Sequence, residues 1–213
     1  MKKTLLTVTL IGTVFVMSAQ DKPQKTVKTT GGVKIETNFS NFLVSGVSGA
    51  KSTIKTGTTL GGFLRWDATK CFFIQGELLF HYKTSDFVFN HVKSEFRYAG
   101  VEIPIYAVWN WRFKEDELFY VGIGPHSEFG FAAQMKRNGE KINLYEKDDE
   151  TELSAMKDFN SGFGIIIGYE FAYGIQISAC YKISITNVLD ANSSEATVLP
   201  QAISLGVAYR FGK

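Results

Sequence analysis

His126, Ser127 and Glu128 carry the letters of a nucleophilic site: an imidazole, a hydroxyl for it to deprotonate and a carboxylate to orient it. Their spacing argues against that chemistry. Side chains alternate between the two faces of a strand, so His126 and Glu128 share a face while Ser127 points to the other, unless a bulge intervenes. His81 and His126 are expected to approach each other across an enclosed interior, the setting of a lipid-modifying barrel enzyme, but no nucleophile motif of the usual kinds accompanies them. There is no P-loop or dinucleotide fingerprint. Asp148, Asp149, Glu150 and Glu152 form an acidic cluster whose positions do not match the spaced ligands of a calcium loop. The chain is therefore expected to be non-enzymatic, with no catalytic, cofactor or metal site. Cys71 falls near a strand start and Cys180 in mid-strand. A disulfide needs Cα atoms within about 7 Å, so different depths favour two unpaired thiols.

The elements that hold these residues are strands. Val33, Ile35, Thr37 and Phe39 alternate with Lys34, Glu36, Asn38 and Ser40, a period of two that sorts apolar and polar side chains onto opposite faces. The same sorting sets Ile175, Ile177, Ala179, Tyr181, Ile183 and Ile185 against Gln176, Ser178, Cys180, Lys182 and Ser184. It returns in Ile203, Leu205, Val207, Tyr209 and Phe211. With candidates at 58–66, 72–83, 98–111, 119–131 and 163–171, about eight strands result, each near the ~9–11 residues that cross a bilayer when tilted. Gly122, Gly124, Gly162, Gly164 and Gly168 read as places where strands bend or pack closely.

Short connections at 67–70, 112–117 and 172–174 alternate with long ones at 44–55, 84–97, 134–160 and 187–200. In an up-and-down barrel this puts short turns at one rim and long loops at the other, as periplasmic turns and external loops are arranged. Trp66, Trp109, Trp111, Phe119, Tyr169, Phe171, Tyr209 and Phe211 gather near the short-turn rim and predict a periplasmic aromatic girdle. The polar face carries Lys34, Glu36, Arg65, Glu77, His81, Lys83, Glu102, His126, Glu128, Glu170, Lys182 and Arg210, joined by the apolar Phe63, Phe73, Leu79 and Ile166. A barrel of eight strands is just wide enough for side chains to fill, so these charges predict a packed, paired lumen and no wide channel.

Composition agrees with one exported β-domain. The 213 residues include 20 glycines and only 4 prolines, with 14% aromatics, a balance that suits twisted strands. Residues 1–19 have the parts of a signal peptide: Lys2 and Lys3, the apolar run Leu5–Met17, and the small Ser18 and Ala19. That run is shorter than the ~20 residues of a membrane helix. Residues 20–30 read as a flexible lead-in, and 31–213 as the barrel. The formal charge of +2 disappears with Lys2 and Lys3, so a nucleic-acid partner is not indicated.

Four segments carry a resemblance: GGVKIETNFSNF from Gly31, YAGVEIPIYAVWNW from Tyr98, FYVGIGPHSEFGF from Phe119 and the closing ISLGVAYRFGK. They look like the outer-membrane β-barrel domain of PorT-like proteins in Bacteroidota. The resemblance covers nearly the whole mature chain. It implies an all-β, eight-stranded antiparallel up-and-down transmembrane barrel related in shape to OmpA- and OmpX-type barrels, located in the bacterial outer membrane. Outer-membrane lipid including lipopolysaccharide is the partner this implies, with a protein partner at the external loops or in a secretion complex. The expected role is structural or one of recognition through the long loops, with an accessory part in PorT-type protein secretion as the alternative.

Overall fold

The computed structural model describes residues 28–46, 49–89, 92–114, 116–137, 140–146, 154–189 and 196–212. The segment expected to be a signal peptide, residues 1–19, and the expected lead-in up to residue 27 lie outside the described residues. Nine strands follow: β1 (Thr29–Ser45), β2 (Ala50–Asp67), β3 (Phe72–Phe89), β4 (Val92–Lys114), β5 (Glu117–Arg137), β6 (Glu140–Asn143), β7 (Phe159–Glu170), β8 (Ile175–Ser184) and β9 (Thr197–Arg210). Eight of them close into an antiparallel ring, and β6 is a short ribbon paired with the outer end of β5. Closure is made by β1 on β9, from Gly32 opposite Arg210 to Ser45 opposite Thr197. A closed ring leaves no ladder edge unpaired, which a spanning sheet requires because lipid offers no hydrogen bonds to the backbone. The eight-stranded up-and-down barrel expected from the alternation is the observed fold.

The period of two explains both faces. Val33, Ile35, Leu60, Leu64, Ile165, Leu205 and Val207 point outward and lie half or more exposed, while their neighbours Lys34, Arg65, Ile166 and Ser204 are buried inside. The short turns are tight: Phe171 N–H donates to Ile175 O at 2.8 Å, and Gly174 adopts φ 83° between β7 and β8, a conformation that side chains with a Cβ resist.

The long connections differ from expectation. β1 begins at Thr29, inside the expected lead-in, and runs to Ser45. Residues 84–89 and 92–97 continue β3 and β4, 134–137 continue β5, and 197–200 open β9. β4 is 23 residues long, about twice what a bilayer crossing needs, so its outer half projects beyond the membrane. The sequence pattern changes phase there. In the lower part of β4, Ile103, Ile105, Trp109 and Trp111 face out and Glu102 faces in. Above a register shift at Ala99 and Gly100, Lys93 and Arg97 are exposed and Phe96 and Tyr98 are buried. A second shift, between Ile54 and Thr58 in β2, lies opposite the top of the lipid-facing belt. Bulges of this kind bend a strand and increase its twist.

This phase change builds a second core outside the membrane. Phe96, Tyr98, Ala133, Met156, Val188 and Val198 are buried together, and Phe42, Val44, Phe87, Leu144, Tyr145 and Leu189 pack against them. Phe42 sits 5.0 Å from both Phe87 and Phe96, ring centre to ring centre. Met156 forms an isolated bridge with Leu189, tying two connections that the sequence presents as separate solvated loops.

Candidate functional site

The barrel interior brings the polar-face residues together in three tiers. At the short-turn end, the Glu170 carboxylate accepts from Arg65 Nη1 at 3.2 Å, from Arg210 Nε at 3.0 Å and from Gln176 Nε2 at 2.9 Å, with Arg210 Nη2 also on Glu170 Oε1. Arg65 turns its Nε to Asp67 at 2.8 Å and lays its guanidinium 3.8 Å from the centre of the Phe73 ring. Each guanidinium is thus held by a carboxylate and packed against neighbours, which is what permits a buried charge.

In the middle tier Lys34 Nζ lies 2.7 Å from Glu36 and 3.1 Å from Glu77, and Gln75 Nε2 donates to Glu77 at 2.6 Å. An apolar layer fills the remaining width: Phe73, Tyr106, Val108, Leu118, Tyr120, Ile166 and Cys180 form one cluster, and Tyr106 Oη meets Cys180 Sγ at 3.2 Å. The inward glycines of β5 and β7 admit these rings. A Cβ on Gly168 would overlap the Tyr120 ring, and one on Gly164 would lie 3.1 Å from Tyr106 Oη.

The upper tier holds the histidines. Glu102 and Glu128 face each other across β4 and β5. Lys83 Nζ lies 2.9 Å from Glu128 and 3.6 Å from Glu102, Lys182 pairs with Glu102, and His81 Nε2 is 2.9 Å from Glu128. The His81 ring stacks on Tyr98 at 5.3 Å. A cavity of about 30 Å³ separates this tier from the apolar cap above, lined by Lys83, Glu102, His126, Glu128, Met156 and Lys182 among others. That volume suits roughly one water molecule. Phe42, Phe96, Tyr98 and Met156 of the cap form its outer wall. Tyr145, beyond β6, lies over Gly130, where a Cβ would overlap its hydroxyl, and burial pushes the Tyr145 phenol up to about 12.

All twelve titratable residues of the sequence pattern lie inside the barrel: eleven are buried, and the Lys83 side chain is 12% exposed. Phe63, Phe73, Leu79 and Ile166 share that interior. Ser127, which pairs with Ile103 on one side and Ser161 on the other, sits on the opposite face of β5 from His126 and Glu128. The hydroxyls that do line the cavity are engaged, Ser40 donating to Thr84 O at 3.1 Å and Ser184 to Asn160 Oδ1 at 2.7 Å. The geometry surrounds the cavity with paired charges and leaves His126 Nδ1 buried without a hydrogen-bond partner among the described residues. Among the described residues no group of three or more His, Cys, Asp or Glu side chains is placed to hold a metal ion.

The rim aromatics cluster as pairs: Trp111 with Phe119 at 5.9 Å, Tyr169 with Phe171 at 5.0 Å and Tyr209 with Phe211 at 5.3 Å. Trp66 and Trp109 are exposed, the latter 5.3 Å from Phe72. Phe113 and Tyr173 extend the same rim; both fall within segments the sequence marks as turns, which hides them. Cys71 is exposed and Cys180 buried, and both are free. The acidic cluster at Asp148, Asp149, Glu150 and Glu152 lies outside the described residues. The apolar cap was not expected from the sequence, although the change of phase within β4 is its signal.

Three solved structures are similar to this chain. OprG of Pseudomonas aeruginosa is 12% identical with a TM-score of 0.51, over 87% of this chain and 95% of that one. Neisserial surface protein A is 11% identical with a TM-score of 0.49, over 86% and 99%. Ail, the attachment invasion locus protein of Yersinia pestis, solved with the heparin analogue sucrose octasulfate, is 15% identical with a TM-score of 0.46, over 86% and 99%. No curated protein sequence matches the chain. Residues 6–211 match the family described as the outer membrane protein beta-barrel domain, and with its closed ring, lipid-facing belt and charged interior the chain belongs to that family of the bacterial outer membrane.

Proposed function

We propose that this protein is a non-enzymatic, non-conducting barrel that anchors a recognition surface outside the cell. The carrying observation is the double closure of the lumen. Buried ion pairs fill its length, and the apolar cap covers the outer mouth. A filled interior supports anchoring rather than passage, and it leaves the projecting ends of β2–β6 as the chemically varied surface that solvent and partners meet. Loops on a rigid scaffold are where recognition is usually placed. The test is photo-crosslinking in native cells from positions such as Asn143 on the projecting end, with Lys114 at the opposite rim as control. Specific adducts to an external molecule from Asn143 are the expected result. Adducts from Lys114 alone would contradict the reading.

A finer reading, an accessory role in PorT-type secretion, is supported by the four segments that resemble PorT-like proteins. Its check is secretion after gene deletion: unchanged export of cargo would remove it.

A further inference from the structure

We propose that the outer mouth is a two-jawed clasp: the outer ends of β2–β6 form one jaw that swings away from the outer ends of β1 and β9, uncovering the upper-tier cavity to the external medium. The recognition role above concerns the outer surface of these strands. The clasp concerns the chamber behind them, and neither depends on the other.

The ladders divide the outer wall in two. β1 and β2 pair only as far as Ser40 opposite Lys55, although β1 runs on to Ser45 and β2 begins at Ala50. On the far side β5 and β7 pair only as far as Phe129 opposite Phe159, although β5 runs on to Arg137. Between these gaps the strands stay joined: Ala50 pairs with Phe89, Phe89 with Val92, Ser94 with Arg137 and Arg137 with Glu140, so the ends of β2–β6 move as one sheet. The smaller jaw is equally coherent. β1 stays on β9 in unbroken register out to Ser45 opposite Thr197, and the Val188 N–H donates to Val198 O at 3.1 Å.

A hinge lies at the root of the larger jaw. Thr58, Tyr82 and Ala99 are successive partners across β2, β3 and β4. The β2–β3 register shifts immediately beyond that row, between Ile54 and Thr58, and the β4–β5 register shifts within it, between Ala99 and Gly100. Bulges bend strands and leave residues without ladder partners, so the sheet bends most readily where the jaw leaves the ring. The ladders of β1 with β2 and β9, and of β8 with β7 and β9, carry no such shift among the described residues.

No ladder holds the jaws together. Phe42 of the smaller jaw meets Phe87 and Phe96 of the larger through its ring, and its N–H donates to Ser52 Oγ at 3.1 Å. A strap at residues 154–158 crosses between them: Met156 N–H donates to Leu144 O, next to β6, at 3.0 Å, while Lys157 N–H donates to Val188 O at 2.8 Å and Met156 bridges Leu189. Ring contacts and separate hydrogen bonds part more readily than a continuous ladder. The cavity lies directly beneath, with Phe42, Phe96, Tyr98 and Met156 in its lining. Opening leaves Arg65, Glu170 and Arg210 joined below, so it exposes a blind chamber and no channel.

The experiment uses the full mature chain in nanodiscs, carrying Cys71→Ser, Ala202→Cys, Met156→Cys and Leu189→Cys. Ala202 lines the cavity and is 8% exposed. Directly opposed strand residues have Cα atoms about 4.5–5.5 Å apart, within reach of a disulfide, so oxidation ties the strap to the smaller jaw. A membrane-impermeant maleimide is added to the oxidised and the reduced protein. Modification at position 202 is followed by peptide mass spectrometry, the 156–189 bond is confirmed in the same digest, and buried Cys180 gauges global unfolding. Position 202 is expected to react at least tenfold faster in the reduced protein, with Cys180 unmodified in both. Equal rates at 202, or none in the reduced protein, would overturn the clasp, as would modification of Cys180 in step with 202. Hydrogen exchange of the unaltered protein is a second readout: residues 94–98 and 133–136 should exchange in one correlated step with 156–157, at least tenfold faster than 105–111. Exchange of 94–98 as slow as that of 105–111 would equally contradict it.

Discussion

Glu102 and Glu128 stand directly opposite one another on β4 and β5 with both carboxylates turned into the barrel. Two like charges at that register repel, and they are buried only because Lys182 pairs with Glu102 while Lys83 and His81 approach Glu128 to 2.9 Å. The upper tier sets each buried carboxylate against at least one buried cation.

Lys182→Met tests that balance. It leaves Glu102 buried with less compensating charge and is expected to cost about 3–5 kcal/mol, read as a lower urea midpoint for the refolded barrel in detergent. Adding Glu102→Gln to the same protein should recover most of the loss. A double variant as unstable as Lys182→Met alone would show that the pair contributes little.

Glu170 makes the same case at the other end, where a single carboxylate accepts from Arg65, Arg210 and Gln176. Glu170→Gln keeps the shape and removes the charge facing two guanidiniums. The expected loss is again about 3–5 kcal/mol, larger than for Lys114→Met at the rim, where a 74% exposed side chain pairs with Glu117 and exposed pairs contribute roughly 0–1 kcal/mol. Heat-induced loss of the compact band on a gel measures both.

Ile165 and Ile166 are adjacent and chemically alike, yet they face different solvents: Ile165 is 50% exposed toward lipid and Ile166 is fully buried among Phe73, Tyr106 and Val108. Ile165→Arg should therefore destabilise insertion by about 2–4 kcal/mol, the cost of a cation near the bilayer midplane. Ile165→Ala should be mild, whereas Ile166→Ala should cost about 2–5 kcal/mol through the cavity it opens. Folding yields into lipid vesicles distinguish the two faces.

Gly130 bears on the cap. Its missing side chain makes the space that the Tyr145 hydroxyl occupies. Gly130→Ala should displace Tyr145 while leaving the belt intact, so proteolysis near residue 145 is expected to quicken with no change in barrel assembly. An unchanged digestion pattern would mean that Tyr145 does not hold the cap.

The membrane part was legible in the sequence because lipid imposes a strict rule on every outward position. Ile175 through Ile185 can be sorted by parity alone, and the same parity identifies Lys34, Glu102, Glu128 and Lys182 as inward. Beyond the belt that rule lapses. Lys93 and Arg97 face out on the parity that Ile103 and Ile105 occupy below, so the alternation reverses and the segment reads as a loop when it is strand. The cap was hidden for another reason: Met156, Val188 and Val198 come from distant parts of the chain, and only the ring brings them over Phe42, Phe87 and Phe96. Pairing within the lumen was equally unreadable, since Glu170 finds Arg65 across 105 residues of sequence.

Single-channel recording of the purified protein in planar bilayers measures directly whether the lumen is closed. A silent membrane is expected across the physiological voltage range, for the wild type and for Gly130→Ala alike, because the ion-paired tiers remain below a disturbed cap. Stable, stepwise currents from the wild-type protein, reproduced across preparations, would contradict it.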